Sequence, residues 1–321
     1  MRRKKKKIGC LLCTLLCTLG LVLCCGAAAV LFPGGWAHLS QAFGGGDGAA
    51  ASKAGAETDQ LPADSEIYSA HVLLMDLQSG RTIYSRSAHE KACPASLAKM
   101  LTVLCAIEAC DDLDQQVTLT GGDFKDLKAE GASVAGFLKN ESVTLRDLLY
   151  GTMLPSGADA AQALANHLFG SQKAMVEQMN QLAASIGMAD SHFANVTGLH
   201  DRKLYTTAAD MCRFLRYALQ NETFREIFTA RRYTVPATNL HTEGFTVRSL
   251  LFDQLPDAAF PGGEILGGKT GFTDEAGLCL ASLAEKDGRE YILVTLGAPG
   301  DHNTEAYNIE DALTLYTACP A

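Results

Sequence analysis

Apolar positions recur along this chain in three rhythms. From Ile67 to Leu77 they alternate around His71-Val72-Leu73-Leu74-Met75, turn at Gln78-Ser79-Gly80 and return over Arg81 to Ser85, which predicts a β-hairpin. From Pro94 to Cys110 they close up. Leu97, Met100, Leu101, Val103, Leu104 and Ile107 leave no polar face of any width, the mark of a helix buried all round. Further on, capping signals mark a series of helices. Thr144-Leu145-Arg146-Asp147 opens one over Leu145–Leu154, which Pro155 stops. After a corner at Ser156-Gly157 come Ala158–Phe169, a helix capped by Ser171 and ending at Gly187, one from Thr207 through Leu219, and a short one over Thr223–Phe228. Beyond Arg231 the strand rhythm returns in Arg232–Val235, Phe245–Leu251, Ala276–Ala284 and Glu290–Leu296, the last two joined by Asp287-Gly288. Asn308–Ala318 reads as a closing helix. Strands at both ends and helices between predict an α/β (α+β) fold: a three-layer α/β/α sandwich with a largely helical insert.

The N-terminus follows none of these rhythms. Ile8 to Phe32 holds no charged residue, and as a helix rising ~1.5 Å per residue it would span roughly 37 Å, more than a hydrocarbon core of ~30 Å. Arg2, Arg3 and Lys4 to Lys7 precede it and orient it with the following chain outside the cell. A cleaved signal peptide is the rival, with Ala27-Ala28-Ala29 as its small residues, but such apolar regions usually run only about 7–15 residues. The expected organisation is a cytoplasmic basic segment (1–7), a transmembrane signal anchor (8–32), a flexible Gly-, Ala- and Ser-rich linker (33–64) and one catalytic-sized domain (65–321). The formal net charge is −9, and without the six N-terminal cations the remainder is more acidic still, so the body has no general affinity for nucleic acid. Of eleven cysteines, five lie in the apolar N-terminal stretch. None of the other six forms a C-x-x-C pair, so neither a zinc site nor a dithiol motif is indicated.

The candidate chemistry begins inside the buried helix. Ser96, Lys99 and Thr102 recur every third position and share one face. An unpaired ammonium is costly to bury, so Lys99 either faces a cavity or carries a shifted pKa. A serine one turn before a partly desolvated lysine is a nucleophile beside a general base. The plainer alternative is a core helix whose lysine snorkels to water. Gly263 to Thr270 matches the phosphate-loop spacing at every fixed position, but no buried strand precedes it and no helix follows, so the context argues against a nucleotide. Lys269-Thr270-Gly271 on an edge strand is the other reading. There Gly271 admits a close backbone approach, and Lys269 and Thr270 offer a cation and a hydroxyl to a carboxylate. The eight histidines have no metal-ligand spacing and there is no G-x-S-x-G elbow, which makes a lysine base the more economical choice.

Ser96-x-x-Lys99, then Ser156-Gly157 on a helix–helix corner, then Lys269-Thr270-Gly271 resemble the motifs of the active-site serine penicillin-binding proteins, specifically the low-molecular-mass D-alanyl-D-alanine carboxypeptidases. The likeness extends through Pro94-Ala95-Ser96, Leu154-Pro155-Ser156-Gly157, the segment from Gly187-Met188 through Ser191-His192-Phe193 to Gly198-Leu199, and Lys269 through Gly277. It implies a β-lactamase/transpeptidase-like sandwich with a mainly antiparallel sheet. It implies Ser96 as acylated nucleophile, Lys99 as its base and Ser156 as proton relay. Lys269 and Thr270 would hold the substrate carboxylate, with Gly271 beside them, and the N–H groups of Ser96 and Phe272 would form the oxyanion hole. The implied partners are a peptidoglycan pentapeptide, β-lactams as covalent inhibitors and the lipid bilayer, with no metal, cofactor or nucleic acid.

Two departures from the family pattern stand out. The second motif is usually Ser-x-Asn, and Ala158 occupies the third position here. Many relatives carry a C-terminal β-rich domain and membrane helix, a role the N-terminal segment would take. A serine β-lactamase is the close alternative, but Asp190–Asp201 offers no glutamate to activate a deacylating water. A wall-binding or β-lactam-sensing protein with weakened turnover is the other, suggested by Ala158.

Overall fold

The computed structural model describes residues 61–320. The expected basic segment, membrane anchor and nearly all of the linker lie outside the described residues. No helix among the described residues is long and apolar enough to cross a membrane.

Ten strands and eight α-helices build the described part. The main sheet has the order β2-β1-β10-β9-β8-β7, from Thr82–Arg86 (β2), His71–Asp76 (β1), Arg289–Ala298 (β10), Gly277–Lys286 (β9), Gly263–Thr273 (β8) and Ala259–Phe260 (β7). Every neighbouring pair is antiparallel. Successive strand residues point to opposite faces. Leu73, Ala281, Leu283, Ile292 and Val294 therefore join one apolar cluster, and Val72, Leu74, Leu280, Ala284 and Leu293 join another. The second cluster is closed by α8 (Tyr307–Thr317) and by α7 (Leu250–Gln254) through Leu251 and Phe252. The first is closed by α5 (Ala208–Ala218) and the helical region. The layers are those expected from the two-residue and 3.6-residue rhythms. Asp287 and Gly288 turn the β9–β10 hairpin with φ of +49° and +76°, as that dipeptide predicts.

Helix α1 (Ala98–Glu108) runs through the middle of the helical region, and all its residues from Ala98 to Ile107 are buried. It packs against α2 (Leu145–Met153), α3 (Ala158–Phe169), α4 (Gln172–Ser185) and α6 (Glu222–Thr229). Thr144 caps α2 reciprocally with Asp147: its hydroxyl accepts from Asp147 N, and the carboxylate accepts from Thr144 N at 2.8 Å. Cys105, Cys212 and Cys279 are buried, as their apolar settings predict.

Two segments differ from expectation. The strand read over Phe245–Leu251 stops at Arg248, ending β6 (Phe245–Arg248), which pairs with β5 (Arg232–Val235). Leu251 and Phe252 then turn into the second apolar cluster as part of α7, so burial, not strand rhythm, decides their conformation. The phosphate-loop-like run Gly263 to Thr270 lies wholly within β8. Its paired glycines serve packing: a Cβ on Gly267 would come within 2.5 Å of the Phe228 carbonyl oxygen, and one on Gly268 within 2.7 Å of Leu251. No helix N-terminus follows to cradle a phosphate.

Candidate active site

Ser96 sits in a 3₁₀ turn, Ala95–Leu97, that feeds directly into α1. Ala95 adopts a φ of +47°, a region costly for a residue with a Cβ. Two other backbones press on the turn. A Cβ on Gly198 would lie 2.0 Å from the Ala95 carbonyl oxygen, and one on Gly271 would lie 3.0 Å from Ser96 N. Glycine is what permits both approaches. Strand β8 therefore runs beside the main-chain N–H of the serine.

One turn further on, Lys99 is 2% exposed. Its Nζ lies 3.0 Å from Ser96 Oγ and donates to the Thr197 carbonyl oxygen at 2.6 Å. Burial pulls its pKa down to about 7, opposed by the nearby charge of Asp159. Thr102, third in the polar stripe, donates to the Val196 carbonyl oxygen at 2.8 Å. The stripe is thus answered by a single loop. Asn195 shapes that loop, its side-chain oxygen accepting from the N–H groups of Thr197 at 3.2 Å and Gly198 at 2.7 Å.

Ser156 forms the corner between α2 and α3 with a φ of +64°. Its side chain is buried and its Oγ has no hydrogen-bond partner, an arrangement that normally costs stability and leaves the hydroxyl free for a ligand. Ala158, at the start of α3, is fully buried and donates its N–H to the Ser133 carbonyl oxygen at 2.8 Å. Asp159 beside it accepts from Ala135, Gly136 and Phe137 N–H groups at 2.8, 3.2 and 3.3 Å, which fixes the 133–137 loop next to the serine corner. Burial raises the pKa of Asp159 against those bonds.

Lys269, 1% exposed on β8, donates from Nζ to the Thr270 carbonyl oxygen at 2.7 Å. Among the described residues no carboxylate lies within 4.0 Å of it. Burial pulls its pKa well below the ordinary lysine value, and the charge of Lys99 adds to the effect. An anion placed beside this Nζ would favour its protonated form. Phe272, half-buried one residue past the Gly271 contact, meets the His302 ring edge-on with centroids 4.8 Å apart. Arg248 is exposed at the end of β6 opposite Arg232.

The structure therefore brings Ser96 and Lys99 into direct contact, sets Gly271 against the serine turn and couples Lys269 electrostatically to Lys99. The residues that sequence reasoning missed are Thr197, Gly198 and Asp159. The Asn195-x-Thr197-Gly198 turn was the available signal for the first two. Asp159 had only its place in the first turn of α3. As chemistry, a hydroxyl touching an amine whose pKa is lowered to about 7 can carry acyl transfer without histidine or metal.

Fold and geometry together give an antiparallel sheet flanked by helices, with a serine hydroxyl in contact with a buried lysine amine. Residues 56–300 match the family model described as D-alanyl-D-alanine carboxypeptidase, and the chain belongs to that family. It is 28% identical over 251 residues to the D-alanyl-D-alanine carboxypeptidase DacF of Bacillus subtilis, covering 77% of this chain and 63% of that protein. It is 33% identical over 226 residues to a D-alanyl-D-alanine carboxypeptidase of Mycobacterium tuberculosis, covering 70% and 73%. Among solved structures, the Streptomyces K15 DD-transpeptidase superposes with a TM-score of 0.72 at 26% identity, covering 81% of this chain and 98% of that one.

Proposed function

We propose that this protein is a serine D-alanyl-D-alanine carboxypeptidase that trims the terminal D-alanine from peptidoglycan stem peptides and is acylated by β-lactams. The observation that carries the reading is the 3.0 Å approach of Ser96 Oγ to the buried amine of Lys99. The substrate carboxylate rests on Lys269 and Thr270. Ser96 Oγ attacks the scissile carbonyl and Lys99 takes its proton. The N–H groups of Ser96 and Phe272 hold the oxyanion, each donor contributing ~3–4 kcal/mol. Ser156 passes a proton to the departing D-alanine nitrogen, and water then hydrolyses the ester on Ser96. Ser156 is suited to the relay by its unpartnered buried hydroxyl. No step requires a metal or cofactor.

The uncharged stretch 8–32 behind a basic block supports a bilayer anchor with the catalytic domain on the extracytoplasmic side of a bacterial cell membrane, joined by the linker at 33–64. The reading is tested by labelling with a fluorescent penicillin and by release of D-alanine from an acyl-D-Ala-D-Ala peptide. Ser96→Ala should abolish both while its circular dichroism stays native. Undiminished labelling of that variant would overturn the assignment. Rapid turnover of penicillin without D-alanine release would favour the β-lactamase alternative.

A further inference from the structure

The site described so far explains the D-alanyl-D-alanine end of a substrate and leaves unexplained what receives the residue before it. The direction of a bound peptide follows from the order of groups along β8. Lys269 and Thr270 take the terminal carboxylate, and Gly271 faces Ser96 N, where the scissile carbonyl must lie. The acyl half of the peptide therefore continues past Phe272 and Thr273 toward the turn at 274–276. The strand edge is open for it, because β7 pairs only with Gly263 and Glu264 of β8. An extended peptide can add to such an edge. Strand β8 ends at Thr273 and the chain turns over 274–276, so Glu275 stands in the turn just past the strand end, where the acyl half of the peptide leaves the edge.

Glu275 is exposed at that place. Its carboxylate lies 3.6 Å from His200 Nδ1, and the two side chains are 48% and 39% exposed. His200 belongs to the loop whose Gly198 abuts the Ala95 carbonyl oxygen and whose Thr197 accepts from Lys99. The pair thus joins the two walls of the site, the 195–200 loop and the end of β8. An exposed carboxylate met only by a half-exposed imidazole at 3.6 Å is a replaceable contact: an incoming ammonium can displace the ring and take the same oxygens. Asp274, exposed beside it, adds charge of the same sign.

We propose that Glu275 is a specificity residue that selects substrates whose residue before D-alanyl-D-alanine carries a free side-chain amine, with His200 holding the carboxylate in place when no substrate is bound. This rests on the carboxypeptidase reading above. The test uses two peptides, Nα-acetyl-lysyl-D-Ala-D-Ala with its ε-amine free or acetylated, and measures kcat and KM by D-alanine release from the full chain. The wild-type protein should prefer the free amine by about fivefold in kcat/KM, expressed in KM, as befits a partly exposed ion pair. Glu275→Gln should bring that ratio below about twofold, and Glu275→Lys should reverse it. Equal rates for the two peptides in the wild type, or a preference that survives Glu275→Gln, overturns the specificity assignment and leaves the catalytic one standing. Release of D-alanine from neither peptide overturns the catalytic reading and this one with it.

Discussion

The carbonyl oxygen of Thr197 accepts a 2.6 Å hydrogen bond from Lys99 Nζ, across 98 positions of chain. That bond fixes which way the lysine's remaining groups point. A neutral amine has two N–H groups and one lone pair. With one N–H held by Thr197, the lone pair can be presented to Ser96 Oγ at 3.0 Å. The loop from Asn195 to Gly198 therefore holds the Lys99 amine in place.

The pH dependence of acylation follows from the same lysine. Its pKa is lowered to about 7 because burial disfavours the ammonium. The base is the neutral form, whose population grows as pH rises through that value. The second-order rate of acylation by penicillin should climb about tenfold per pH unit below about 7 and then level off. It should fall again at higher pH as Lys269, itself lowered by burial, loses the proton that binds the substrate carboxylate. A stopped-flow series from about pH 5 to about pH 10 measures this. An acylation rate that declines between about 5 and about 7 would exclude Lys99 as the base.

Most of this arrangement was legible in the sequence for identifiable reasons. The buried helix announced itself because it has no polar face, and Ser96 and Lys99 stood out as exceptions within it. The two hairpins were marked by Gly80 and Asp287-Gly288. What remained illegible were relationships between distant backbones. Nothing local says that Gly198 lies on Ala95, that the Thr197 carbonyl meets Lys99, or that Gly267 and Gly268 admit Phe228 and Leu251 rather than a phosphate. Leu251 ends a strand-like run, yet it turns helical because the apolar cluster beneath α8 receives it.

Removing Lys269 should stabilise the protein while disabling it. The folded-state pKa is depressed and no carboxylate lies within 4.0 Å among the described residues, so the folded chain binds this proton less well than the unfolded chain does. The resulting penalty is present at low pH and fades as pH rises toward 10.5. Lys269→Met keeps the volume without the charge. Its Tm should exceed the wild-type value by roughly 2–4 °C near neutral pH, with the gain shrinking at alkaline pH and penicillin acylation lost. Calorimetry decides it. A lower Tm at all pH values would mean that Lys269 is held by interactions that outweigh its burial.

The stretch 8–32 should retain the full-length protein in membranes at its uncleaved mass, and a form starting near Ala63 should be released to the soluble fraction. Fractionation of cells followed by intact-mass measurement tests both. An N-terminus found near Ala29 would instead identify a cleaved signal peptide.

Ala158 presents the sharpest question about rate. The motif this corner resembles has an asparagine at that position, and here a fully buried methyl group stands at the start of α3. Two residues earlier the Ser156 hydroxyl is buried without a partner, so the pocket is short of polar groups on the side where the amide would project. A missing hydrogen bond to a buried polar group costs about 1–3 kcal/mol, or roughly ten- to a hundredfold in rate. Acylation would be slowed but not prevented, because Ser96, Lys99 and the oxyanion donors remain. Ala158→Asn should therefore raise the second-order rate with penicillin or a D-Ala-D-Ala peptide by at least about tenfold. The opposing force is crowding. Gly157 alongside has no room even for a Cβ, which would lie 2.6 Å from the Gly151 carbonyl oxygen and 2.8 Å from Asp159 Oδ1. An asparagine that cannot find a rotamer would push the 133–137 loop away and weaken the bonds Asp159 makes to it. Measuring both forms side by side separates the two cases. A variant no faster than the wild type would show that this pocket works without the amide and that Ala158 belongs to its own solution for holding Lys99.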